Sequence, residues 1–113
     1  MCSQQEARGI IDQLSERIRA LYPKEQLDVI LFGSYARHDA DEESDIDVMY
    51  LVDTPRQEIA RKNWQVGAAA ADLLLEHGVV ISPIVENRAY FQSQASFMPF
   101  FRSIQQEGVR ISA

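Results

Sequence analysis

Apolar residues near the start of the chain recur every three or four positions, which predicts an amphipathic helix. The repeat consists of Ile10, Ile11, Leu14, Ile18 and Leu21. Ser3 and Glu6 precede it with the spacing of a capping box, in which each side chain bonds an amide of the first turn. Pro23 ends the run, because proline cannot continue a helix.

Four further runs are typical of strands. Residues 27–32 and 45–52 are rich in Val, Ile, Leu and aromatic residues, as buried strands are. Residues 79–85 form a third run, in which Pro83 favours an edge position or a bulge because it cannot donate a ladder hydrogen bond. Residues 109–111 are a shorter, fourth candidate.

A long helix is predicted between the second and third strands, over residues 56–77, with Gly78 placed to end it in a left-handed turn. We expect its apolar face to pack on the core, and that face carries Ile59, Ala60, Trp64, Ala68, Ala71, Leu74 and Leu75. Asn87 is placed to cap a short helix, and residues 97–106 carry another apolar face. The aromatic residues near the C-terminus are expected to close the core: Tyr90, Phe91, Phe97, Phe100 and Phe101.

This order of elements predicts an α/β (α+β) fold, a small mixed sheet of about three to five strands with helices packed on one face. The 113 residues leave room for one domain spanning 1–113. The single cysteine, Cys2, excludes a disulfide framework and a cysteine-rich zinc site. No apolar run reaches the ~20 residues of a membrane span and the start lacks a signal-peptide pattern, so we expect a cytoplasmic protein.

Charge is distributed unevenly along the chain. Seventeen acidic and eleven basic residues give a net charge of −6, which disfavours general nucleic-acid binding. Six of the acids fall within residues 39–47, a window without lysine or arginine, and such runs are commonly solvated loops. Two of them, Asp45 and Asp47, begin a predicted strand, where both carboxylates share one face about 6.5–7 Å apart at the backbone.

Residues on both sides of this window are suited to binding a nucleotide. The two carboxylates repel each other, and Mg²⁺ removes that cost by taking one or two carboxylates together with substrate phosphate oxygens. Upstream, Gly33 and Ser34 follow a strand at the start of a helical turn, where free amides and a hydroxyl attract phosphate. Arg37 is placed on the same side of that turn. The combination predicts a phosphate cradle beside a cation-binding pair, Asp45 and Asp47.

A known signature is matched by two segments, Gly-Ser-Tyr-Ala-Arg at residues 33–37 and Ser-Asp-Ile-Asp-Val at residues 44–48. They resemble the signature of the DNA polymerase β-like nucleotidyltransferases, most closely the minimal nucleotidyltransferase (MNT) family, and the likeness extends to residues 99–109. The resemblance implies that Gly33, Ser34 and Arg37 contact nucleotide phosphates. It also implies that Asp45 and Asp47 are catalytic and hold two Mg²⁺ ions while a nucleoside monophosphate passes to an acceptor, either AMP from ATP or the equivalent from another nucleoside triphosphate.

One departure from the family concerns a third carboxylate, which its complete members carry on the next strand. The matching positions, Val80 and Ser82, are not acidic, and Glu86 lies too far along the strand to replace it. Two alternatives therefore stay open beside the enzyme: a catalytically impaired module that binds nucleotide or a partner, and an enzyme that modifies a small molecule.

The acceptor is the last expectation drawn from the resemblance. Minimal members are frequently paired with a small all-helical protein and are thought to act as antitoxins, some by transferring AMP to a partner tyrosine. The leading hypothesis is therefore an AMP-transferring domain of a toxin–antitoxin pair, and self-association into a homo-oligomer is left open.

Overall fold

The computed structural model describes residues 3–111 of the chain. The elements follow in the order α1 (Gln4–Leu21), β1 (Asp28–Phe32), α2 (Gly33–Arg37), β2 (Ile46–Val52), α3 (Arg56–His77), β3 (Ile81–Asn87), α4 (Arg88–Gln94), α5 (Pro99–Glu107) and β4 (Val109–Ile111). Within the described residues these are five helices and a four-stranded mixed sheet, so the predicted fold class is confirmed.

The sheet has the strand order β3-β2-β1-β4. β1 is antiparallel to both β2 and β4, whereas β2 and β3 are parallel. β3 is an edge strand, which confirms the position expected from Pro83, although the strand runs from Ile81 to Asn87 rather than over 79–85.

The strand register defines two ends of the sheet that matter below. One row, the Asp47 end, consists of Phe32, Asp47 and Ser82, and the row at the opposite end, the Asp28 end, consists of Asp28, Leu51 and Glu86. Because these residues are paired directly across the strands, each row brings together side chains that are distant in sequence.

Two hydrophobic cores lie on the two faces of the sheet. The larger contains the buried sides of α1 and α3 together with alternate strand residues such as Val29 and Val48. The smaller joins α4 and α5 to the other strand face, for example through Met49 and Phe101. The expectation of helices on one face thus describes the long helices, and α4 and α5 add a second layer. The reason is that β1 and β2 are apolar at consecutive positions, as strands buried on both faces are.

The helix ends follow the capping residues found in the sequence. Ser3 Oγ accepts a hydrogen bond from the Glu6 amide at 3.0 Å, and Asn87 Oδ1 accepts one from the Tyr90 amide at 2.9 Å. Gly78 ends α3 with φ at 69°, in the left-handed region. None of the helices within residues 3–111 is both long and apolar enough to span a bilayer.

The buried side of α3 differs from the predicted one. Its buried residues are Ile59, Val66, Ala69 and Leu73, so only Ile59 of the expected face is correct. Trp64, expected in the core, is 72% exposed, and Leu75 is 87% exposed. The helix carries apolar residues on two opposite sides, and periodicity alone does not decide which side packs on the sheet.

The aromatic residues near the C-terminus are likewise divided. Phe91 and Phe101 are buried in the smaller core, as expected, and Tyr90 is half-buried against it. Phe97 and Phe100 are exposed, so for these residues the prediction was wrong.

Candidate active site

A cavity of about 330 Å³ opens at the Asp47 end of the sheet. Its walls come from the β1–α2 junction, β2, β3 and α5, and the residues that matter for its chemistry are Gly33, Arg37, Asp47, Ser82, Phe100 and Glu107. The structure therefore brings three of the predicted site residues, Gly33, Arg37 and Asp47, to one cavity.

Gly33 has a backbone that a larger residue would not adopt easily. Its φ is 74°, in the left-handed region that favours glycine. A Cβ at this position would lie closer than 3.0 Å to Asp47 Oδ2. The close approach that the sequence assigned to a ligand is thus made in part by the protein itself, because Gly33 makes room for the Asp47 carboxylate.

The Asp47 carboxylate is half-buried at the wall of the cavity. Within residues 3–111, no hydrogen bond or ion pair reaches it. Burial is the largest cause that raises the pKa of Asp47, the neighbouring Asp45 raises it further, and Arg37 opposes both. The repulsion predicted between the two aspartates is therefore present, and a bound cation would relieve it.

Asp45 lies immediately before β2 and is exposed. It lines a second cavity, of about 450 Å³, whose walls include Tyr35, Glu43 and Val80. Asp45 and Asp47 thus influence each other electrostatically while lining different cavities. Among residues 3–111 no group of three or more His, Cys, Asp or Glu side chains could hold a metal ion. The pair still fits Mg²⁺, because that ion takes its remaining ligands from water and substrate phosphates.

Arg37 reaches the cavity from the last turn of α2. Its guanidinium forms ion pairs with Asp39 at 3.2 Å and with Glu107 at 3.5 Å, and about half of its side chain is exposed. Ser34 does not line either cavity, and its carbonyl accepts a hydrogen bond from the Asp39 amide at 3.0 Å. Of the predicted phosphate contacts, Gly33 and Arg37 are thus at the cavity wall and Ser34 lies beside it.

Comparison with known proteins identifies the family. Residues 11–105 match the family model described as a nucleotidyltransferase domain. The chain belongs to the minimal nucleotidyltransferase family. Two proteins of Methanocaldococcus jannaschii, each named "Putative protein adenylyltransferase", are similar to it. One is 39% identical over 80 residues, covering 71% of this chain and 72% of the relative. The other is 36% identical over 89 residues, covering 78% and 82%. No solved structure gives a significant match.

The other four acidic residues within residues 39–47 form a solvated loop of this nucleotidyltransferase. Asp39, Asp41, Glu42 and Glu43 are exposed. The Asp41 carboxylate accepts hydrogen bonds from the Glu43 amide at 2.9 Å and from the Ser44 hydroxyl at 3.2 Å. The common interpretation of a charge run therefore holds for this loop, and Asp47 is distinguished from it by burial.

The position of the missing third carboxylate is defined by the strand register. Ser82 is paired with Asp47, so it occupies the place on the next strand that faces the site. Glu86 lies at the Asp28 end, buried and ion-paired with Arg56 at 3.1 Å, which confirms that it is too far to act as a substitute.

Glu107 is a charged residue of the cavity that sequence reasoning missed. β4 pairs with β1 so that Val109 is opposite Leu31. The end of α5 that precedes β4 therefore lies beside the β1–α2 junction, where Glu107 forms its ion pair with Arg37. The sequence predicted a short last strand but did not specify its neighbour. Without that pairing, nothing placed the end of α5 beside the β1–α2 junction.

Proposed function

We propose that this nucleotidyltransferase transfers an adenylyl group from ATP to a hydroxyl on a partner protein, with Mg²⁺ held by Asp45 and Asp47. The observation that carries the proposal is the half-buried Asp47 carboxylate, which lies against Gly33 with no hydrogen bond or ion pair from residues 3–111. The ionised form of such a carboxylate is destabilised in the isolated chain. A bound cation removes that destabilisation, and the free energy regained contributes to the affinity for the cation. The adenylyl group and the protein acceptor are supported by the names of the relatives.

Mg²⁺ bound with the triphosphate would neutralise phosphate charge and stabilise the charge that develops at the α-phosphorus. The role of the chain's own residues is to bind and orient. Asp45 and Asp47 line different cavities, and the two carboxylates would hold the cation together with the substrate phosphates. This arrangement is suited to an ion that bridges protein and substrate.

Arg37 is proposed to bind a phosphate oxygen. Its present partners, Asp39 and Glu107, are both about half exposed, and exposed ion pairs of this kind are weak. A phosphate can therefore replace one of them and form a charge-assisted, bidentate contact. Gly33 and Ser34 would add amides and a hydroxyl from the first turn of α2.

In the proposed reaction, the acceptor oxygen forms a bond to the α-phosphorus of ATP. The bond from that phosphorus to the oxygen bridging to the β-phosphate breaks, and pyrophosphate leaves with the electron pair. The acceptor's proton passes to solvent, so the products are the adenylylated acceptor, pyrophosphate and a proton. Catalysis of this kind depends mainly on positioning and charge neutralisation.

The nature of the acceptor is suggested by the cavity rim. Phe100 lines the cavity and is 49% exposed, which gives the site an apolar edge. An apolar edge is suited to a protein surface, whereas the net charge of −6 disfavours a nucleic acid. A small helical protein with an accessible tyrosine, in an antitoxin-like pair, is the partner that the family resemblance favours.

A second candidate function, nucleotide binding without transfer, is favoured by one observation. Ser82 stands beside Asp47 where complete members of the family carry an acid. A hydroxyl does not ligate Mg²⁺ strongly and does not accept a proton near neutral pH. In that case the site would bind the nucleotide and hold a partner without turnover.

The two functions are distinguished by incubating α-labelled ATP and Mg²⁺ with the chain and its co-purified partner. We expect label in the partner, loss of label with Asp47→Asn, and normal labelling with Asp12→Asn, an exposed aspartate on α1 that serves as the matched control. Ser82→Asp is expected to increase labelling, because it supplies the third carboxylate. Nucleotide binding without labelling in either the wild-type chain or Ser82→Asp would establish the binding module instead.

A further inference from the structure

The outer face of α3 is apolar from Ala60 to Leu75. We define the α3 outer face by its exposed residues, Ala60, Trp64, Gly67, Ala68, Ala71, Leu74 and Leu75. At 100° per residue they form a stripe about 120° wide and about 22 Å long, on the side opposite the buried residues. No charged residue lies within the stripe.

This face is costly for an isolated chain. Trp64 and Leu75 are among its most exposed large hydrophobic side chains, and contiguous exposed apolar surface commonly marks an interaction site. Gly67 lies in the helix interior, where glycine is about 1 kcal/mol less favourable than alanine. A Cβ there would meet nothing within 4 Å, so packing inside the chain does not require glycine. A side chain approaching from outside would use that space.

The order of side-chain sizes along the α3 outer face is self-complementary. Trp64, Ala68, Ala71 and Leu75 run large, small, small, large, symmetrically about a point midway between Ala68 and Ala71. If two copies of α3 pair antiparallel about that point, Trp64 of each lies against Leu75 of the other, and the alanines allow close approach. Leu74 of each copy then lies near Gly67 of the other. An interface in which the same patch serves both copies has twofold symmetry.

The charges at the edge of the stripe support the same arrangement. Arg61 and Glu76 are exposed on the same flank of α3, near opposite ends of the stripe, about 20° and about 80° beyond its border at 100° per residue. No hydrogen bond or ion pair within residues 3–111 engages Arg61, and Glu76 has only a 3.8 Å contact with His77. Antiparallel pairing about the same point places each Arg61 within about 3 Å, along the helix axis, of Glu76 in the other copy. A parallel twofold pair would instead put Arg61 of one copy and Glu76 of the other on opposite edges of the interface, with no ion pair between them.

We propose that two copies of this chain dimerise through the α3 outer face, antiparallel, with the twofold axis between Ala68 and Ala71. The Asp47 cavity is lined by α5, on the opposite face of the sheet from α3. The dimer therefore leaves the Asp47 cavity of each copy accessible, and the interface does not depend on the proposed function.

Sedimentation equilibrium of the full chain tests the dimer. The expected mass at high concentration is twice 12.9 kDa. Ala71→Glu should give a monomer, because it places two carboxylates at the twofold axis, whereas Ala89→Glu, an exposed alanine on α4, should remain dimeric. A mass of 12.9 kDa at every concentration, or a dimer that survives Ala71→Glu, would overturn the proposal.

A charge exchange tests the antiparallel arrangement without relying on a disruptive variant. Arg61→Glu or Glu76→Arg alone should weaken dimerisation at least about tenfold, because each places like charges together. The double variant Arg61→Glu with Glu76→Arg should restore the wild-type dissociation constant. Additive weakening in the double variant would contradict the proposed pairing. A monomer whose α3 outer face is covered only by another protein would also contradict it.

Discussion

The carboxylates at the two ends of the sheet have opposite surroundings. At the Asp28 end, Asp28 is paired with Arg88 at 2.9 Å and with Arg110 at 3.2 Å, and Glu86 is paired with Arg56. At the Asp47 end, the half-buried carboxylate of Asp47 has no such partner within residues 3–111. The acids of the first end are neutralised by the chain itself, whereas those of the second remain available to a cation from outside.

Arg88 shows how complete the neutralisation at the Asp28 end is. Its guanidinium donates to Asp28 and to the carbonyls of Gln26 at 2.9 Å and Leu51 at 3.1 Å, and it also contacts Asp53. Its side chain is mostly buried. A charge with this many partners fixes the fold, so we assign this end a structural role and the Asp47 end a chemical one.

The largest expected effect is a difference in activity between substitutions at the Asp47 end and at the Asp28 end. Asp47→Asn should lower adenylyl transfer at least about 100-fold, because charge stabilisation worth several kcal/mol is lost and each ~1.4 kcal/mol is tenfold. Asp28→Asn should leave the rate per folded molecule within about twofold of wild type, since it contacts neither cavity at the Asp47 end. Steady-state label transfer measures both, and equal losses would remove the distinction.

The free energy of unfolding should depend more strongly on the Asp28 end than on the Asp47 end. Arg88→Ala removes hydrogen bonds to two carbonyls and one of the two arginines paired with Asp28, so we expect a loss of about 2–4 kcal/mol in the free energy of unfolding. Arg8→Ala, an exposed arginine on α1, is the control and should change it by less than about 0.5 kcal/mol. Urea denaturation measures both variants. A loss below about 0.5 kcal/mol for Arg88→Ala would mean that the Asp28 end does not depend on this arginine.

A smaller effect tests the contact between Gly33 and Asp47. Gly33→Ala should cost about 1–2 kcal/mol for the left-handed backbone, plus a further amount for the clash with Asp47. Gly78→Ala is a matched control, because its φ of 69° is similar but its Cβ would meet nothing within 4 Å. In an Asp47→Ala background the two glycine substitutions should cost the same. A larger cost at Gly33 that persists there would show that the clash is not with Asp47.

The smallest effect is a gain in stability. The pKa of Asp47 is raised on folding, so its neutral form is favoured and the ionised form destabilises the fold above that pKa. Asp47→Asn should therefore raise the free energy of unfolding at pH 7, by less than about 1 kcal/mol because the carboxylate is partly screened by solvent. The gain should vanish in acid, where Asp47 is protonated. A loss of stability at pH 7, measured without Mg²⁺, would contradict the assignment.

Much of this structure could be predicted from local patterns. The capping residues Ser3 and Asn87, the turn at Gly78 and the edge position of Pro83 depend on neighbouring residues, and all were correct. The β1–α2 junction at Gly33 also depends on a short segment. Local chemistry specifies such features because the interacting groups are only a few residues apart.

The errors came from features set by tertiary packing. α3 has two apolar sides, and only the sheet determines that Leu73 is buried and Trp64 exposed. The proximity of Glu107 to Gly33 depends on β4 pairing with β1, a contact between distant parts of the chain. The close approach of the Asp47 carboxylate to the Gly33 backbone likewise depends on the β1–β2 register. Neither the hydrophobic periodicity of the sequence nor the spacing of its motifs specifies these tertiary contacts.

Calorimetric titration of ATP into the chain, with and without Mg²⁺, tests the central claim most directly. We predict binding that requires Mg²⁺ and that is abolished in the double variant Asp45→Asn with Asp47→Asn, while Asp12→Asn binds as the wild type does. Unchanged affinity in the double variant, or equal affinity without Mg²⁺, would contradict the assignment of the Asp47 end as the seat of the cation and its nucleotide.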